Sequence, residues 1–323
     1  MSERSLLSKP WLWAHMLSLE APAVALVWTA SLARLHGSKL PPGVLPGLAL
    51  VVWVIYLLDR VLDTLGQPEA ELDERHRFYL RHRLWIAGLA VPAGAAAAVW
   101  LAFWRIPAGL LVEALVLVPA VAFYLAVYTG ARTRSLRRLA LWGGPAMMLA
   151  LHALPLSSGA KIAGSALVLA LALLAWSSRL RGWVQNLLRK ESAAGVIFAL
   201  GCTTFARFSH QGADDPVHWL ELMLLAFLFT GNLTVIAQQE TPHADRRGQG
   251  VFLIGSAVFC AVLGHGGFFG GSSESLRAIS LLVIAGLLLH LLLWNAARHR
   301  SAEIFRVLAD AALLLPPAWV WLR

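Results

Sequence analysis

Charge is scarce in this chain. Asp, Glu, Lys and Arg together make up 14% of its 323 residues, against about 25% in ordinary soluble domains. Too few polar side chains exist to cover a water-facing surface, which excludes a soluble globular enzyme. The 58% apolar content excludes a disordered chain. Cysteine is nearly absent: Cys202 and Cys260 both lie in apolar runs and offer neither a disulfide framework nor metal-ligand spacing. Long polar stretches are missing too, the longest being residues 65–83. Acid is scarcer than base, 18 residues against 27, for a net charge of +9. The basic residues sit between apolar runs and not on a solvated face, so nucleic acid is not expected as a partner. What the chain has in abundance is apolar length, with a mean hydropathy of +0.66. That points to an all-α, polytopic transmembrane helical bundle. The start, Met1 to Pro10, is short and polar. The apolar stretch after it is long enough to stay in a bilayer, so no cleaved signal peptide is expected.

A spanning helix needs about 20 mostly apolar residues. Eleven segments qualify as candidates: 14–35, 44–64, 84–104, 107–128, 138–155, 162–184, 192–208, 217–239, 251–267, 278–297 and 303–321. The fifth, seventh and ninth are short. Lys and Arg concentrate on the cytoplasmic side of membrane proteins. With the N-terminus placed inside, 19 basic residues fall at inner ends and seven at outer ends. Deleting any adjacent pair of spans preserves that split, so it supports sidedness and not a count of eleven. The whole chain, 1–323, reads as one integral membrane domain in an inner, cytoplasmic-type bacterial membrane, with the N-terminus cytoplasmic and membrane lipid around it.

Orientation does not explain the acids. The second span ends in Tyr56-Leu57-Leu58-Asp59-Arg60-Val61-Leu62-Asp63. Asp59 and Asp63 are four apart and share a helix face, where like charges repel. They lie at a helix C-terminus, where the dipole disfavours anions, and near a membrane boundary, where carboxylates are costly. Three penalties in one place call for a compensating cation: Arg60, the arginines of the next loop, or a divalent metal with oxygen ligands. The eighth span ends in a comparable polar stretch, with Asn232, Gln239 and Glu240 on one face before Pro242, and His243 and Asp245 beyond it. Charge counting puts it on the same side as Asp59 and Asp63. The polar stretch between the second and third spans carries Glu71, Asp73, Glu74, Arg75, His76, Arg77, Arg81, His82 and Arg83. It reads either as an amphipathic, positive-inside loop or as a basic lid for phosphate, because arginines bind phosphate bidentately. A zinc site from Glu74, His76 and His82 is a weaker alternative, since the spacing matches no known ligand pattern.

Four further acids fall in or near apolar runs: Glu20, Glu113, Glu221 and Asp310. Glu20 precedes Pro22 and either caps a helix that begins there or is a site residue. Glu113 and Glu221 fall near the outer boundary, within reach of water. Asp310 lies four residues after Arg306 and can pair with it. His152, His290 and Asn295 read as interhelical hydrogen-bonding residues. Most of the 14 tryptophans read as interface and packing residues.

Three local phrases carry a resemblance. They are Leu19-Glu20-Ala21-Pro22; Tyr56-x-x-Asp59-Arg60-x-x-Asp63 followed by Glu74-Arg75-His76-Arg77-Phe78; and Arg189-Lys190-Glu191 leading into Gly195 and Gly201. Together with acidic motifs at two inner helix ends, they resemble a divergent branch of the UbiA superfamily of intramembrane prenyltransferases, over about two thirds of the chain. The resemblance implies a core of nine helices around a cavity, Mg²⁺ held by two acidic motifs, a prenyl diphosphate donor and a lipophilic acceptor. It implies catalytic roles for Asp59, Asp63 and Glu240, with metal ligation by those three and Asp245. It implies diphosphate contacts from Arg60, Arg75, Arg77, Lys190 and Asn232. Ile55 and Tyr56 stand where the family's first motif opens with a polar pair, and Ile236 occupies a ligand position of the second, so about half the carboxylates that the resemblance implies are absent. Two candidate spans exceed nine, and 132–185 is the natural inserted pair between 1–131 and 186–323. Two alternatives remain: a UbiA-type terpene cyclase or lyase, which needs no acceptor, and a non-catalytic lipid-binding or transport protein.

Overall fold

The computed structural model describes residues 10–64, 68–69, 72, 74–115, 117–128, scattered positions between 145 and 173, 177–207, 216–240, 246–265, 274–296 and 301–322. Every regular element among them is helical, and none is a strand. In chain order they are α1 (Pro10–Met16), α2 (Glu20–Leu35), α3 (Val44–Thr64), α4 (Glu74–Trp85), α5 (Val91–Arg105), α6 (Ala108–Leu115), α7 (Leu117–Tyr128), α8 (Ser178–Leu187), α9 (Lys190–Arg207), α10 (Pro216–Glu240), α11 (Arg246–His265), α12 (Glu274–Ala296) and α13 (Ala302–Ala318). Six stretches among the described residues are long and apolar enough to cross a membrane: Val44–Thr64, Glu74–Arg105, Ala108–Tyr128, Val217–Gln239, Glu274–Ala296 and Glu303–Trp321. The protein is an all-α integral membrane protein.

Three sequence expectations change here. Residues 14–35 do not form one helix: α1 ends at a turn where Ser18 takes a left-handed φ of 54°. The turn closes with Leu19 N–H donating to Ala14 O and Ser18 N–H to His15 O, a pattern that satisfies the last carbonyls of a helix. Residues 74–83 are not a loop but the start of a 32-residue helix, Glu74–Arg105. A π turn at Ile86–Ala90 joins α4 to α5. Pro92, two residues into α5, has no N–H and crowds the carbonyl four residues back, which accounts for the locally widened turn. Residues 162–184 are not one unbroken span either. Ser177 is extended and its hydroxyl accepts from Leu180 N–H, so a new helix, α8, begins there. Most of the expected span at 138–155 lies outside the described residues.

The chain divides into two compact units, one of residues 1–53, 97–110 and 191–323, the other of 54–96 and 111–190. In the first, α2, α10, α12 and α13 pack on one another and α11 packs on α12. Lipid tails are as apolar as leucine, so close packing and specific hydrogen bonds must hold such helices together. Both are present. A Cβ on Gly195 of α9 would meet the Thr230 backbone of α10 at 2.6 Å, so glycine permits the close approach. Near the end of α13, Pro317 lacks an N–H and leaves the Leu313 carbonyl without its helical donor. The Trp28 indole of α2, fully buried, donates to that carbonyl at 3.0 Å. Its ring meets Phe229 of α10 edge-on at 5.9 Å. Ser31, one turn along α2, donates to Pro317 O and accepts from the Trp321 indole at 2.9 Å.

The second unit contains the acidic end of α3, the basic start of α4, and the pair α7–α8. Gln185 of α8 donates to Val127 O and Tyr128 of α7 donates to Leu188 O, each at 2.6 Å.

Candidate functional site

The helical register of α3 puts Asp59 and Asp63 on one face, and Thr64 closes the helix by donating to Val61 O at 2.8 Å. Asp59 is buried and Asp63 half-buried. The cation that meets them is Lys190. Its Nζ lies 3.2 Å from Asp63 Oδ2 and 3.9 Å from Asp59 Oδ1. A lysine at the first position of a helix faces the unfavourable end of the dipole. The two carboxylates, with Glu191 in the same first turn of α9, offset that.

The charges of Arg60 and Arg75 also reach Asp59. Arg75, in the first turn of α4, is only 3% exposed, whereas Arg77 is exposed. The phenols of Tyr56 and Tyr124 lie within electrostatic reach of Arg60. Two carboxylates are therefore faced by three cations, Arg60, Arg75 and Lys190. Two buried atoms at this end of α3 make no hydrogen bond: Asp59 Oδ1, an acceptor, and Arg60 Nε, a donor. Such atoms in a buried charged cluster suit a ligand carrying both signs.

Mg²⁺ usually takes one or two protein carboxylates and completes its octahedron with phosphate oxygens and water. Asp59 and Asp63, with the unsatisfied Asp59 Oδ1, fit that requirement when phosphate comes with the metal. Among the described residues no group of three or more His, Cys, Asp or Glu side chains comes together. The zinc alternative at Glu74, His76 and His82 finds no support in geometry: His82 Nδ1 is turned to the Phe78 carbonyl at 2.9 Å, and its ring stacks on Phe78 at 4.5 Å.

Of the second motif, Glu240 closes α10, and Asp245 lies outside the described residues. Asn232, expected to touch diphosphate, is buried and engaged within the first unit. Its Nδ2 donates to Asp310 Oδ1 of α13 at 3.1 Å, and its Oδ1 faces His290 Nε2 of α12 at 2.8 Å. His290 Nδ1 faces Gly286 O at 2.7 Å. Both ring nitrogens thus face oxygen, and a neutral imidazole donates from only one.

The remaining polar residues resolve individually. Glu20 opens α2 and meets His15 Nδ1 at 2.9 Å, fastening the α1–α2 turn. Glu221 is buried, contrary to its expected reach of water. It meets His36 Nε2 at 3.1 Å and accepts from Ser275 at 3.3 Å, tying α10 to the end of α2 and the start of α12. Glu113 is exposed. His290 bonds between helices as expected, but Asn295 donates to Leu291 O and His152 Nδ1 faces Met148 O, so both bond within their own turns. Tyr56, Tyr124 and the linkage of Asn232 to His290 and Asp310 were missed. The tyrosines sit at helical spacing among apolar residues and read as packing, and no spacing rule joins residues 58 and 78 positions apart.

Comparison with known protein families, with curated proteins and with solved structures finds no match.

Proposed function

We propose that this chain is a UbiA-like intramembrane prenyltransferase, moving an isoprenoid group from a prenyl diphosphate to a lipophilic acceptor. The observation that supports it is the cluster at the end of α3, where Lys190 lies against Asp59 and Asp63 with Arg60 and Arg75 beside them. Among the described residues three cations reach Asp59, and a basic cluster at the end of an apolar helix suits a ligand with an anionic head and an apolar tail. In prenyl transfer the C1–O bond breaks with its electron pair leaving on the diphosphate, and the acceptor's nucleophile takes the allylic carbon and gives up a proton. Lys190, Arg60 and Arg75 stabilise the negative charge that gathers on the departing oxygens. Asp59 and Asp63 would hold Mg²⁺, which would supply further neutralisation of that charge when bound. The surplus of 19 inner over seven outer basic residues supports a cytoplasmic site, a cytoplasmic N-terminus and a bacterial inner membrane.

Lys190's approach to both carboxylates also favours a second reading, in which the chain binds a lipid phosphate without turning it over. One experiment tests both. Purified protein is heated with a prenyl diphosphate, with and without Mg²⁺, and diphosphate release is followed with an acceptor extract. The proposal expects a rise in unfolding temperature, larger with Mg²⁺, together with diphosphate release that Asp59→Asn and Asp63→Asn abolish. Stabilisation without release supports the second reading, and release without an acceptor indicates a cyclase or lyase. No stabilisation at any chain length sinks them all.

A further inference from the structure

We propose that α8 is an interfacial helix that docks on anionic lipid headgroups. It is built for that position. Leu180, Trp183 and Leu187 recur at three and four residues and form one stripe, exposed at 44%, 64% and 73%. At about 100° per residue, Arg179 and Arg181 fall one on each side of this stripe. Gln185 points the other way and holds the polar face to Val127 O, while Tyr128 holds Leu188 O. Both anchors lie at the last residues of the membrane-length stretch Ala108–Tyr128, so α8 sits where a span ends. An apolar stripe left outward at that level, flanked by arginines, matches the way amphipathic helices lie at the boundary of headgroups and acyl chains.

Charge selects the partner. Arg179, Arg181 and Arg189 are the charged residues of 177–189, and the segment holds no acid. An anionic headgroup is therefore favoured over a zwitterionic one. Leu188 and Arg189 alone separate α8 from Lys190, so the docked helix runs directly into the acidic cluster.

The test uses the full chain in nanodiscs of zwitterionic lipid, with or without an anionic phosphatidylglycerol component. A nitroxide is placed at Trp183→Cys after Cys202 and Cys260 are replaced by Ala, and its access to a water-borne relaxing agent is measured. If that variant does not fold, Leu187→Cys carries the label on the same stripe. In anionic discs the label is shielded from water, and each of Arg179→Gln and Arg181→Gln lowers the docked-to-undocked ratio about fivefold. A label equally open to water in both discs overturns the docking. A label equally buried in both, and indifferent to the arginines, overturns the headgroup recognition. Neither outcome depends on prenyl diphosphate, so the proposal stands or falls separately from the enzymatic reading.

Discussion

Lys190 is the residue on which the acidic end of α3 depends. Two carboxylates one turn apart, one of them buried, are tolerable because the charges of Arg60 and Arg75 reach Asp59 and the Lys190 ammonium lies within 4 Å of both. Removing one partner of a buried ion pair costs more than the pair contributes, because the other charge is left uncompensated. Lys190 is partly exposed, with 37% of its side chain accessible, so water screens part of that cost. Lys190→Met is expected to destabilise the protein by about 1–2 kcal/mol in detergent, and adding Asp63→Asn to recover much of it. Thermal unfolding of the two single variants and the double variant measures the coupling; additive effects would mean that the contact contributes nothing. His290 is the corresponding residue of the first unit. His290→Leu removes one interhelical contact, to Asn232, and one within its own helix, to Gly286, and interhelical bonds in membranes are worth about 0.6 kcal/mol on average. A loss of about 1 kcal/mol is expected, shrinking in an Asn232→Leu background where one bond is already gone. The need for a cation near Asp59 and Asp63 was legible in the sequence, from spacing and dipole alone. That Lys190 meets the need was not, because 127 residues separate it from Asp63 and only tertiary packing joins them.

Helices here are locked by defects in other helices. Pro316 and Pro317 each remove an N–H near the end of α13. In the structure, the carbonyl that Pro317 deprives of a donor becomes the acceptor for Trp28. Trp28→Phe keeps most of the ring packing against Phe229 and deletes only that bond. It is expected to cost about 1–1.7 kcal/mol, the upper range for a membrane hydrogen bond, because no helical N–H replaces the donor. Restoring the N–H with Pro317→Ala should make Trp28→Phe less costly, and a thermal-unfolding cycle on the four proteins reads the difference. Element existence was mostly readable: the apolar runs at 44–64, 217–239 and 303–321 correspond to α3, α10 and α13. Element ends were not. Ser18 stops α1 in a left-handed conformation that serine seldom adopts, and Ser177 starts α8 by capping inside an expected span. A window average over apolar residues is blind to one capping hydroxyl. The basic start of α4 looked like loop for the opposite reason: its low hydropathy hid a helix whose later turns are strongly apolar.

At the scale of the whole molecule, charge sets which face each helix end occupies. Basic residues hold spans in place because moving them across a bilayer is costly, so the expected split of 19 against seven makes orientation a testable prediction for the chain. The hairpin of α11 and α12 gives the sharpest reading of it. These helices pack along each other in one unit, and the chain enters α11 next to Arg246 and Arg247. If α11, whose apolar stretch Gly248–Leu263 is shorter than the six membrane-length ones, crosses the membrane from the cytoplasmic side, α12 starts on the outer side, at Glu274. Gly248 and Glu274 are both exposed, and the native thiols Cys202 and Cys260 are buried, so background labelling should be slow. In right-side-out vesicles a membrane-impermeant maleimide should label Glu274→Cys and leave Gly248→Cys untouched; in inverted vesicles the pattern should reverse. Labelling of both from one face would break the hairpin. Labelling of Gly248→Cys from outside alone would put the start of α11 on the outer face and remove the charge-count support for a cytoplasmic N-terminus, while leaving the fold intact.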